Sequence, residues 1–143
     1  MESSNIILLI EDNIDDERLT LRALRKNNIM NEVVVAGDGE QALKYLEDPA
    51  SLLPAVVVLD LKLPRLSGLE VLEKIRGNPR TALIPTVVLT SSDDEAQVDK
   101  AYRSGANSFI RKPTDAEEFS EMVLQLAMYW LMLNRGPKGP VLP

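Results

Sequence analysis

Five short apolar runs punctuate the chain: Ile6-Ile7-Leu8-Leu9-Ile10, Val33-Val34-Val35-Ala36, Ala55-Val56-Val57-Val58-Leu59, Thr86-Val87-Val88-Leu89 and the shorter Ser108-Phe109-Ile110. An unbroken apolar run, without the alternation of a half-exposed strand, is what a strand covered on both faces needs. Between the runs the period changes. Apolar residues recur every three to four positions, which predicts helices over about Asp15–Asn27, Gly39–Glu47, Ser67–Gly77, Asp94–Ser104 and Asp115–Asn134. Punctuation falls where these elements need it. Pro54 and Pro85 stand at strand starts, where a missing N–H costs little. Ser92-Asp93-Asp94-Glu95 is a helix start signal and Gly105 a helix stop. Strands alternating with helices imply an α/β protein whose parallel sheet is covered on both faces. Right-handed crossovers make it doubly wound. No internal repeat or second domain is evident, so residues 1–135 read as one domain and Gly136–Pro143 as a Gly/Pro-rich tail.

Composition narrows the chemistry. The 143 residues contain no cysteine and no histidine, which removes disulfides, thiol nucleophiles, imidazole acid–base catalysis and histidine metal sites. The net charge of −6 argues against a general nucleic-acid partner. Ile6–Ile10 is too short for a signal-peptide core and runs into carboxylates, and no stretch approaches a membrane span. The expectation is a cytoplasmic protein with no membrane and no nucleic-acid partner.

Open α/β sheets bind ligands beyond the carboxyl ends of their strands. Here those ends read Glu11-Asp12, Asp60, Thr90-Ser91 and Arg111-Lys112-Pro113. A carboxylate after one strand is ordinarily a turn or a helix cap, and a lone lysine is ordinarily solvated. Three carboxylates, a hydroxyl and an ammonium on one rim are a different matter. Clustered carboxylate oxygens suit a hard cation such as Mg2+. Lys112 and Thr90 supply a charge and a donor for phosphoryl oxygens, and a carboxylate nucleophile can form an acyl phosphate. The pattern points to metal-assisted phosphoryl transfer to an aspartate.

With these motifs in hand, the chain resembles a response regulator receiver domain, the fold of chemotaxis response regulators, over about residues 5–130. The resemblance rests on Glu11-Asp12, on Leu59-Asp60-Leu61-Lys62-Leu63-Pro64 followed by Gly68, on Thr90-Ser91 and on Lys112-Pro113. It implies a flavodoxin-like sheet of order 2-1-3-4-5 flanked by five helices. It also implies Asp60 as phosphoacceptor, and Mg2+ held by Glu11, Asp12, Asp60 and the backbone carbonyl of Lys62. Thr90 is then the switch hydroxyl, Phe109 the switch aromatic, Lys112 the phosphate-pairing lysine, and the Lys112–Pro113 bond cis. Lys62 departs from the uncharged residue usual two places after the acceptor. The long last helix with Tyr129-Trp130-Leu131, and Asp15-Asp16-Glu17-Arg18, resemble stand-alone receivers that work with bacterial phytochromes. That implies a histidine kinase partner, with a bacteriophytochrome as the specific candidate.

Three rival functions are weighed by the same residues. A haloacid-dehalogenase-type phosphatase needs an acid two residues after its nucleophile, where this chain has Lys62. A nucleotide-binding module would need a glycine-rich phosphate loop, which is missing. A non-phosphorylated pseudo-receiver would not keep Asp12, Asp60, Thr90 and Lys112 together. Two surfaces are expected from helical wheels. Asp16, Leu19 and Ala23 of the first helix would dock the kinase, while Leu21 and Leu24 face the sheet. Leu124, Ala127, Met128 and Leu131 of the last helix would form a homodimer, while Phe119, Met122, Val123, Leu126, Tyr129, Trp130 and Leu133 cover the sheet.

Overall fold

A computed structural model of the chain describes residues 4–92 and 94–137. Asp93 and residues 138–143 of the expected tail lie outside the described residues. The five apolar runs form strands β1 (Ile7–Ile10), β2 (Val33–Ala36), β3 (Val56–Leu59), β4 (Thr86–Thr90) and β5 (Ser108–Arg111). All pair in parallel, in the order β2-β1-β3-β4-β5. Every residue of β1, β3 and β4 is buried, whereas the edge strands β2 and β5 are mostly half-buried. This fits the runs of β1 and β3 being the longest apolar ones and Ser108-Phe109-Ile110 the weakest.

Successive residues of a strand point to opposite faces, and two cores result. Leu8, Ile10, Val57, Leu59 and Val88 pack under helices α2 (Gly39–Glu47), α3 (Gly68–Gly77) and α4 (Glu95–Arg103) through Ala42, Leu46, Val71, Leu72, Ile75 and Ala101. Ile7, Leu9, Val56, Val58, Val87 and Leu89 pack under α1 (Ile14–Lys26) and α5 (Ala116–Ala127) through Ala23, Leu24, Phe119, Val123, Leu126 and Ala127. Each helix begins at an acid, amide or serine whose side chain accepts an N–H of the first turn: Asn13, Asp38, Ser67, Asp94 and Asp115. At α3, Ser67 and Glu70 form a reciprocal capping box. Helix α4 stops as its sequence requires. Gly105 takes φ 110°, its N–H donates to the Tyr102 carbonyl at 3.1 Å, and Ala106 N–H donates to the Ala101 carbonyl at 3.0 Å.

The last helix differs from the expected single rod. The α-helix ends at Ala127, and Met128–Leu133 continue as a π-helix, closed by a bond from Asn134 N–H to the Tyr129 carbonyl at 2.6 Å. The wider turn rotates the apolar stripe. Trp130 and Leu131 pack against the core, while Tyr129 and Leu133, expected inward, are exposed. The expected dimer stripe is broken up as well. Ala127 is fully buried, Leu124 and Leu131 pack against the α1/α5 core, and only Met128 is exposed. The buried arc is wide because α5 packs against α1 as well as against the sheet. The wheel of α1 is corrected in the same way. Its buried residues are Thr20, Ala23 and Leu24, so Ala23 cannot offer a docking surface, and Leu21 is only half-buried. The Lys112–Pro113 bond expected cis is trans, the isomer an X–Pro bond favours by about 0.5–1 kcal/mol. Among the described residues no helix is long and apolar enough to cross a membrane.

Candidate functional site

The strand register brings the candidate residues to one level. Ile10 pairs with Leu59, so Glu11 follows β1 where Asp60 follows β3. Leu59 pairs with Val88, so Thr90, the last residue of β4, stands one step beyond Asp60. Thr90 pairs with Arg111, and Lys112 comes next, its N–H donating to the Thr90 carbonyl at 2.7 Å. Four adjacent parallel strands thus bring to one rim the first residues after β1, β3 and β5 and the last residue of β4. The polar groups here are unusually deep: Glu11, Asp60, Thr90 and Lys112 are all buried.

A buried charge is tolerated only when it is paired, and Lys112 shows how. Its ammonium donates to Glu11 Oε1 at 2.6 Å, Asp16 Oδ2 at 2.8 Å and Asp60 Oδ2 at 2.9 Å. Burial alone would lower the Lys112 pKa, but hydrogen bonds to Asp16, Glu11 and Asp60 outweigh it and hold the group above the ordinary lysine range. Glu11 moves in the opposite sense to most paired carboxylates. Burial pushes it up to about 7, with the nearby Asp60 adding to the rise, and the Lys112 hydrogen bond offsets only part of this. One oxygen from each of Glu11, Asp12 and Asp60 falls within 4.8 Å of the others, with Asp12 exposed at the mouth. That donor set is all hard oxygen, which fits a divalent cation that keeps several waters. Thr90 Oγ1 is buried and finds no hydrogen-bond partner among the described residues. A buried hydroxyl left in that state is costly, and it marks a place for an added acceptor oxygen.

Two local structures hold Asp60. The Lys62 N–H donates to Asp60 Oδ1 at 3.0 Å, orienting the carboxylate from its own loop. Gly68, the first residue of α3, lies against that loop so closely that an added Cβ would fall 2.5 Å from the Asp60 carbonyl oxygen and 2.5 Å from Leu61 Cα. The exposed Lys62 ammonium donates to Ser91 Oγ at 3.3 Å, bridging the ends of β3 and β4. Phe109 on β5 is half-buried against the core beneath α2–α4.

Not every expected residue joins this group in its expected role. Asp16, read from the sequence as a docking residue, reaches inward to Lys112. Leu19 is half-buried against the α1/α5 core, and the apolar side chain that α1 does expose beside the rim is Ile14, at 59 %. A wheel phased from Thr20 and Leu24 would have put Asp16 and Ala23 on the inner face and Ile14 outside. Arg76 was also missed. It donates to the Gly105 and Ile84 carbonyls, both at 2.8 Å, and to Asn107 Oδ1 at 2.7 Å, tying α3 to the loops that start β4 and β5.

Comparisons with known proteins agree with this geometry. The family model of the response regulator receiver domain matches residues 7–124. The probable methanogenesis regulatory protein FilR2 of Methanothrix harundinacea is 39% identical over 142 residues, covering 97% of this chain and 91% of that protein. Response regulator Rcp1 of Synechocystis is 35% identical over 130 residues, 88% of each chain. A solved Mn(2+)-bound form of Rcp1 superposes with a TM-score of 0.86 at 34% identity, covering 93% of this chain and 99% of that one. The phosphorylated cyanobacterial phytochrome response regulator RcpA superposes with a TM-score of 0.88 at 34% identity, covering 94% and 99%. This chain belongs to the response regulator receiver domain family, the receivers of two-component signalling.

Proposed function

We propose that Asp60 accepts a phosphoryl group from the phosphohistidine of a histidine kinase, with Mg2+ held by Glu11, Asp12, Asp60 and the Lys62 carbonyl. The observation that carries this reading is the buried Lys112 ammonium paired with the Asp60 carboxylate at 2.9 Å, on a rim where the Thr90 hydroxyl is buried without a hydrogen-bond partner among the described residues. An Asp60 oxygen forms the new bond to phosphorus as the bond from phosphorus to the histidine nitrogen breaks. The cation, when bound, neutralises charge on the transferring oxygens. Lys112 turns a donor to one phosphoryl oxygen and Thr90 donates to another, so the chain's own residues are arranged for the added charge. Movement of Thr90 toward the phosphoryl group opens space beside β5, and Phe109 turns further into it. Transfer and slow hydrolysis on Asp60 are then the only reactions, with no substrate turnover. A phosphatase of the haloacid dehalogenase type finds no support, because its required acid is replaced by Lys62, whose ammonium is turned to Ser91.

The kinase is proposed to meet α1 at its exposed N-terminal edge, where Ile14 lies, and the chain to act in the cytoplasm. A bacteriophytochrome is the kinase class suggested by the phytochrome-associated relative described above. A second copy is proposed against the exposed apolar end of the last helix, where Met128, Tyr129, Met132 and Leu133 stand 45 to 69 % exposed. Beryllofluoride, a phosphoryl mimic, tests the central step by calorimetry in the presence of Mg2+. Wild type is expected to bind it and Asp60→Asn not to. Equal binding by both would refute the assignment.

A further inference from the structure

The three N–H donors of an ammonium are all that Lys112 has, and three carboxylates take them. Two of these, Glu11 and Asp60, also belong to the oxygen cluster that fits a divalent cation, whereas Asp16 does not. Lysine and cation therefore compete for Glu11 and Asp60, and Asp16 is the partner that Lys112 need not share. Its position is fixed from two sides. Asp16 N–H donates to the N-cap Asn13 Oδ1 at 3.1 Å, Asn13 N–H donates to Glu11 Oε2 at 3.2 Å, and Thr20 Oγ1 donates to the Asp16 carbonyl at 2.8 Å. The first turn of α1 is thereby locked to the rim, and it aims the carboxylate inward. The Asp16 side chain is 26 % exposed, so it does not carry the full desolvation burden of Glu11 or Asp60.

We propose that Asp16 is a positioning residue for Lys112: it draws the ammonium toward α1, which releases Glu11 and Asp60 to a divalent cation and keeps Lys112 in the pocket once the cation is bound. The idea rests on the proposed cation role of Glu11, Asp12 and Asp60. Its consequence runs against a simple reading of the ion pair. A contact between Asp16 and Lys112 that merely stabilised the fold would leave metal affinity alone. Here, removing Asp16 throws the whole ammonium onto the metal's own ligands.

A double-mutant cycle with Mn2+ as the probe tests this without any phosphodonor. Mn2+ is titrated into wild type, Asp16→Asn, Asp16→Ala, Lys112→Met and the double variant Asp16→Ala, Lys112→Met, each shown folded by thermal melting. In the wild-type background Asp16→Ala is expected to weaken Mn2+ binding about tenfold, the lower range for losing a group that orients metal ligands. Asp16→Asn, which keeps an acceptor without the charge, should fall between. In the Lys112→Met background the same alanine change should cost only the screened effect of one partly exposed charge, about two- to threefold. The same factor in both backgrounds, or no weakening in either, would overturn the proposal. Wild type that fails to bind Mn2+ would overturn the cation reading beneath it, so the two failures are told apart.

Discussion

Gly68 links the packing of the fold to the geometry of Asp60, the proposed acceptor, through backbone contacts. It begins α3 after the capping Ser67, and a Cβ built on it would sit 2.5 Å from both the Asp60 carbonyl oxygen and Leu61 Cα, and 3.1 Å from the Asp60 carbonyl carbon. Those are backbone atoms, so no side chain can rotate away. Restoring a van der Waals separation of about 3.5 Å needs the helix start and the acceptor loop to part by roughly 1 Å. Overpacking of this kind costs about 1–3 kcal/mol, or roughly 3–10 °C in melting temperature for a domain of this size. The displacement falls on Asp60, one of the proposed cation ligands, so Mn2+ affinity should fall with stability in Gly68→Ala. Gly77, at the other end of the same helix, is the control. Nothing lies within 4 Å of a Cβ there, so Gly77→Ala should be neutral or stabilising by up to about 1 kcal/mol through the unfolded chain. Thermal melts and Mn2+ titrations of the three proteins decide it. If Gly68→Ala melts together with Gly77→Ala and binds Mn2+ as wild type does, the close approach of α3 to the acceptor loop is not real.

Three further outcomes follow from the site and its surfaces. Folded Glu11 titrates at about 7 against an ordinary 4.5, so between those values the metal-free folded chain holds the extra proton and loses stability as pH rises. Melts across that window should show wild type falling relative to Glu11→Gln and levelling off above it; a constant difference would contradict the raised value. Ile14→Asp should slow transfer from a cognate kinase several-fold while acetyl phosphate still labels the protein at the wild-type rate, and equal slowing with both donors would reject docking at α1. Met132→Asp with Leu133→Asp should shift wild-type dimers to monomers in sedimentation, whereas a wild type that is monomeric at high micromolar concentration, with and without beryllofluoride, would rule out this contact.

The strands and the rim were legible because they rest on local signals. The buried runs differ from the strand bounds by about one residue, and Glu11, Asp60, Thr90 and Lys112, at or just past the strand ends, come to one rim because parallel register aligns those ends. Both ends of α4, at Asp94 and Gly105, were legible because caps act through their own neighbours. The faces of α1 and α5 were less so. Each is amphipathic over a wide arc, and which edge of that arc is innermost depends on the α1–α5 contact, which no single helix encodes. The π-turn after Ala127 defeated any fixed 3.6-residue wheel, sending Tyr129 out and Leu131 in. Asp16 was assigned to the surface because a wheel phased on Leu21 and Leu24 put it opposite them, yet Lys112, 96 positions away, draws it inward. Long-range charge pairing of that sort leaves no periodic trace in a sequence.

The residue that receives the phosphoryl group is the decisive measurement. Wild type is treated with acetyl phosphate and Mg2+, the acyl phosphate is trapped by borohydride reduction, and the modified residue is located by peptide mass spectrometry. One modified residue is expected, Asp60, with labelling lost on chelation of Mg2+ and in Asp60→Asn. A label that maps to Asp12, Asp16 or Glu11, or that persists undiminished in Asp60→Asn, would contradict it.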